Sequence, residues 1–159
     1  MSVPPHAVQL NEANDFLKKH PEVQFVDLLI ADMNGVVRGK RIERASLHKV
    51  YQRGINLPAS LFALDINGST VESTGLGLDI GDSDRVCYPI PNTLCNEPWQ
   101  KRPTAQLLMT MHEMEGEAFF ADPRAVLQQV VKKFDALGLT ICAAFELEFY
   151  LIDQANVNG

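Results

Sequence analysis

The sequence predicts an α+β protein. Three observations predict it: an Asn-Gly pair between two β-rich runs at residues 22–42, further short apolar runs broken by turn residues up to about residue 117, and an amphipathic helical pattern beginning at Asp122. The 159 residues are 46% hydrophobic and 21% charged, the balance of a chain that packs a core. A formal net charge of -6 argues against a large nucleic-acid surface, which needs clustered Lys and Arg. No apolar run reaches the roughly 20 residues that span a bilayer, and the N-terminus has no basic start followed by an apolar block, so the chain reads as cytoplasmic.

The elements follow in order. "NEANDFLKKH" (11–20) has an Asn start, an acidic first turn and a basic end, the charge order that a helix dipole favours. "VQFVDLLIADMNGVVRGKRI" predicts a hairpin turning at Asn34-Gly35. "ERASLHKVYQRG" spaces Leu47, Val50 and Tyr51 as a helix closed by Gly54. "LPASLFALDI" (57–66) reads as a strand running into a long polar loop, "NGSTVESTGLGLDIGDSD". "RVCYPI" and "AQLLMTMH" are further strands. "DPRAVLQQVVKKFDALG" places Asp122 at an N-cap, Pro123 at the first helical position and Gly138 as terminator. It leads into "LTICAAFELEFYLID", read as a strand. There are no internal repeats.

Four features carry candidate chemistry. In a strand, Glu146 and Glu148 would share one face about 7 Å apart, as hard oxygen ligands for divalent ions or as the solvated face of a half-exposed strand. Cys142 and Ala144 on the same face weigh against the solvated reading. "RGKRIER" (38–44) is either an anion site or a charged strand edge that discourages pairing. Asp65 either offers a carboxylate to a cationic group or forms a turn. Gly75, Gly77 and Gly81 lack the strand and helix context of a phosphate loop. Cys87, Cys95 and Cys142 are read as reduced structural thiols in mainly apolar surroundings, and His6, His20, His48 and His112 are scattered without ligand spacing.

Together, "DMNGVVRGKRI", "LPASLFALDINGSTVESTGLG", "GDSDRVCYPIP", "ADPRAVL" and "FELEFYLID" resemble the glutamine synthetase superfamily, and most closely its γ-glutamylpolyamine synthetase branch. The resemblance spans residues 22–153. It implies an N-terminal tail and helix (1–20), a β-grasp domain (21–117), and the first helix and strand of a catalytic domain (118–159). It implies Glu146 and Glu148 as ligands of Mg²⁺ or Mn²⁺ in a two-metal site. Asp65, and with it Asp84, would bind and deprotonate an amine in the neighbouring subunit's site. The implied substrates are glutamate, ATP and an amine or polyamine, the implied assembly a dodecamer of two hexameric rings. Where the glutamine-forming enzymes carry D-G-S-S, this chain has "DINGST", which suits a larger amine than ammonia. An ammonia-using glutamine synthetase and a standalone, non-catalytic β-grasp interaction module are the alternatives. The nucleotide-binding segments and remaining metal ligands are expected downstream of Gly159, so the 159 residues alone are expected to be inactive.

Overall fold

The computed structural model describes residues 10–153. Its elements are helices α1 (Leu10–Lys19), α2 (Leu47–Arg53) and α3 (Pro123–Ala136), and strands β1 (Phe25–Ala31), β2 (Val37–Glu43), β3 (Ile55–Pro58), β4 (Asp84–Pro89), β5 (Cys95–Asn96) and β6 (Thr104–His112). His6 lies outside the described residues. Two compact units divide after Gln128.

The first unit is a mixed sheet with helices packed on it. Its strand order is β2-β1-β6-β4-β3, with β5 also pairing β6. β1 runs parallel to β6, with Phe25 opposite Thr104 and Leu29 opposite Leu108; the other pairings are antiparallel. Alternation puts Val26, Leu28 and Ile30 of β1 into the core beside Ala105, Leu107, Met109 and Met111 of β6. Ala13 and Leu17 of α1 and Leu47, Val50 and Tyr51 of α2 complete that core. Burial, with the Glu12 carboxylate, raises the Tyr51 phenol above its ordinary pKa.

The hairpin predicted at 22–42 is β1 and β2, turning at residues 32–36. The helix predicted before Gly54 is α2, preceded by one 3₁₀ turn at Arg44–Ser46. Gly54, at φ +71°, donates its N–H to Val50 O at 2.8 Å, and a side chain there would meet the Cys87 carbonyl. The strand predicted at 57–66 is overturned. β3 ends at Pro58, and Ala59–Ala63 form a 3₁₀ helix with all five residues buried. A short apolar run buried on every side lacks the alternation that separates strand from helix.

Asp122 opens α3 as its spacing predicts. Its Oδ1 accepts from Arg124 N at 2.8 Å, and its Oδ2 accepts from Thr110 Oγ1 at 2.8 Å and Met111 N at 2.9 Å. One carboxylate therefore caps the helix and ties its start to β6.

In the second unit, from Gln129 onward, α3 ends where Gly138 (φ +71°) donates to Asp135 O and Leu139 N donates back to Phe134 O. The strand predicted at 139–153 is not formed: residues 139–153 join no sheet among the described residues. A strand is a property of a pair, and the ladder that would satisfy this backbone is missing here. Both alternating sets of side chains are exposed, with Phe145 and Leu151 each at 93%.

Candidate functional site

Asp65 and Asp32 sit in turns of the same construction. Each begins a D-x-N-G-x stretch, "DMNGV" at 32–36 and "DINGS" at 65–69. Asp32 N donates to Val36 O at 2.9 Å, and Asp65 N donates to Ser69 O at 2.8 Å. In the first, Asp32 Oδ1 accepts from Asn34 N (2.8 Å) and Val36 N (2.9 Å); in the second, Asp65 Oδ1 accepts from Asn67 N and Ser69 N, both at 2.8 Å. An Asp side chain that mimics a backbone acceptor, followed by a glycine at positive φ, is what selects this turn.

Their second oxygens differ. Asp32 is 2% exposed, and its Oδ2 accepts from Arg38 Nε at 2.7 Å. Burial alone would raise its pKa, but the Arg38 bond and the two backbone N–H bonds outweigh it and hold the carboxyl below its ordinary value. Asp65 is half-buried, and its Oδ2 takes no hydrogen bond among the described residues. One oxygen is immobilised and the other is open, a geometry that can receive a proton donor without reorganising.

Asp65 follows the 3₁₀ helix at 59–63, which is laced to the segment before β4. Ala59 N donates to Ser83 O, Ser60 N donates to Asp82 Oδ1, and Pro58 pairs with Asp84. Asp84 is exposed at the start of β4, and its carboxylate accepts no hydrogen bond among the described residues. The two candidate aspartates are thus carried on segments joined through the backbone. In the loop between them, Glu72 accepts from Leu78 N and Asp79 N, so a carboxylate of the chain itself occupies the amides around Gly77.

The cations of "RGKRIER" are engaged internally. Arg41 makes two bonds of 2.7 Å to Asp27, Lys40 Nζ donates to Asn56 O at 3.0 Å, and Arg44 donates to the carbonyls of Leu17, His20 and Val23. β2 lies at the end of the strand order, so of the two readings of this stretch the charged edge holds. A cavity of about 410 Å³ beside the start of α3 is lined mainly by apolar residues, including Leu29, Ile30, Met109 and Leu127. Its one acid, Asp122, has both oxygens engaged.

Glu146 and Glu148 are exposed and accept no hydrogen bond among the described residues. Carboxylate oxygens suit a hard divalent cation, and these two are free to act as donors. Among the described residues, no three His, Cys, Asp or Glu form a group able to hold a metal ion. Two carboxylates alone do not complete a metal site.

All three cysteines are free. Cys87 is buried as expected, its thiol pushed up to about 12 by burial and by nearby Asp122. Cys95 and Cys142 are exposed, contrary to the apolar surroundings expected for them. His112 is buried, edge-on to Tyr88 at 5.5 Å. Sequence reasoning overlooked the recurrence of D-x-N-G and the partnership of Arg38 with Asp32; the repeated tetrapeptide was the available signal. No helix among the described residues is long and apolar enough to cross a membrane.

Residues 120–159 match the family model of the glutamine synthetase catalytic domain. The chain is 41% identical over 143 residues to a γ-glutamylputrescine synthetase of Escherichia coli (strain K12), covering 90% of this chain and 30% of that protein. It is 32% identical over 149 residues to a glutamate–isopropylamine ligase of a Pseudomonas species, covering 92% of this chain and 32% of that protein. Among solved structures, a novel glutamine synthase homolog superposes with a TM-score of 0.63 at 21% identity, over 72% of this chain and 27% of that one. The chain spans about a third of the length of the curated relatives it matches.

Proposed function

We propose that the full-length protein is an ATP-dependent ligase, because residues 120–159 match the family model of the glutamine synthetase catalytic domain and the residues before them are similar to the same enzymes. It joins the γ-carboxylate of glutamate to an amine, most aptly a diamine such as putrescine. The γ-carboxylate attacks the terminal phosphorus of ATP and expels ADP, giving an acyl phosphate. The amine nitrogen then attacks the acyl carbon, phosphate leaves, and the proton lost from nitrogen passes to a carboxylate.

The observation that carries this reading is the state of Asp65. Its turn fixes one oxygen through Asn67 N and Ser69 N and leaves the other open. In that role Asp65 Oδ2 receives the ammonium and takes up its proton. Asp84 adds negative charge, which suits a substrate whose second amino group is cationic at neutral pH. Glu146 and Glu148 would hold divalent cations, Mg²⁺ or Mn²⁺, which when bound neutralise charge on phosphoryl oxygens.

The hairpin of β1 and β2, the parallel pairing of β1 with β6 and the packing of α2 into the core support a β-grasp reading of residues 21–117. Residues 1–20 are then a tail and helix, and residues 118–159 begin the catalytic domain. The remaining ligands and the nucleotide site belong to the rest of the full-length protein. The assembly is a homo-oligomer, in which Asp65 serves the site of a neighbouring subunit.

An amine panel tests the substrate. Full-length protein with glutamate and ATP is expected to release phosphate with putrescine or longer polyamines. Release with ammonia and none with the diamines would overturn the polyamine assignment in favour of a glutamine-forming enzyme.

A further inference from the structure

We propose that Asn34 is a positioning residue for the amine site, holding the Asp65 turn in place from the neighbouring hairpin turn; this rests on the reading that Asp65 receives the amine. Asn34 Nδ2 donates to Leu64 O at 2.8 Å, a bond between residues thirty positions apart. Leu64 immediately precedes Asp65 and bridges to Thr70 on the far side of the same turn. The bond therefore grips the second turn at the base from which Asp65 projects.

Asn34 is itself held. Its backbone N–H donates to Asp32 Oδ1, and Arg38 secures the same carboxylate through Oδ2. Arg38 also approaches the second turn, its Nη1 lying 4.0 Å from where a Cβ on Gly68 would stand. A chain of contacts thus runs from the half-buried Arg38 and the buried Asp32 through Asn34 to Leu64 and Asp65. The matching asparagine of the second turn, Asn67, makes no side-chain hydrogen bond among the described residues. The same turn residue is a tether in one copy and not in the other.

A base displaced by about 1 Å loses on the order of 100-fold in rate, so a bond at the foot of the Asp65 turn bears on amine use more than on stability. The test uses full-length protein with Asn34→Ser and Asn34→Asp. Both side chains suit the turn; Ser is too short to reach Leu64 O, and Asp has no donor. Each is expected to raise the KM for the amine about tenfold, with the KM for glutamate within twofold of the parent and the thermal midpoint within a few degrees. Asp65→Asn is measured beside them. If it raises the amine KM while both Asn34 variants leave it unchanged, the tether is overturned and the Asp65 reading stands. An amine KM that none of the three variants moves overturns the Asp65 reading and the tether with it. An equal rise in the amine and glutamate KM values for the Asn34 variants means general loosening and also overturns the tether.

Discussion

The turns at 32–36 and 65–69 share residues, hydrogen bonds and a glycine at positive φ, yet they leave their aspartates in opposite states. Asp32 is buried against Arg38; Asp65 keeps one oxygen open. Local sequence builds the turn, and the neighbourhood decides what its carboxylate does. The deciding neighbour is a single guanidinium carried on β2, which the first turn precedes directly. The second turn leads into residues 70–83, which offer no arginine.

The largest expected effect breaks the first turn's support. A Cβ on Gly39 would fall onto the Leu28 backbone carbonyl of the adjacent strand, where no side chain can move aside. Gly39→Ala is expected to destabilise the full-length protein by more than about 4 kcal/mol, read by urea unfolding. Asp122→Ala, which removes the α3 cap and the bonds to Thr110 and Met111, is expected to cost about 3 kcal/mol by the same measurement.

Asparagine substitutions probe the comparison directly. Asp32→Asn keeps the Oδ1 acceptor and turns an amide donor toward Arg38, costing about 2 kcal/mol after allowance for the partial exposure of Arg38. Asp65→Asn keeps the acceptor and confronts no partner, so its cost is expected below about 0.5 kcal/mol. Gly35→Ala and Gly68→Ala sharpen the likeness instead. Both glycines have positive φ, with nothing near a Cβ on Gly35 and only Arg38 Nη1, in ordinary contact at 4.0 Å, near one on Gly68, and each substitution should cost about 1 kcal/mol, equal within error.

The smallest effect is a pH dependence. The folded pKa of Asp32 lies below its unfolded value of about 3.9, so its contribution is complete above that value and is lost as pH falls through the folded one. Urea midpoints measured from pH 5 down to pH 2 should fall more steeply for the parent than for Asp32→Asn.

The features legible in the sequence are those set within a few residues. Asn34-Gly35, Asp122-Pro123, Gly54 and Gly138 each act on their own turn or cap, and the structure has each doing so. The apolar run at 57–66 misled because complete burial erases the alternation of a strand. "FELEFYLID" has that alternation without a partner among the described residues, and alternation alone does not make a ladder. The candidate aspartates were legible as residue types, but the open oxygen of Asp65 and the bond from Asn34 to Leu64 depend on segments that meet only after folding.

The most direct test of the account measures Asp65→Asn in the full-length protein against Asp32→Asn. Asp65→Asn is predicted to raise the KM for the amine at least tenfold while leaving the urea midpoint at the parent value, and Asp32→Asn to lower the midpoint. An unchanged amine KM in Asp65→Asn, or a fall in its midpoint equal to that of Asp32→Asn, would contradict the division of the two turns into scaffold and site.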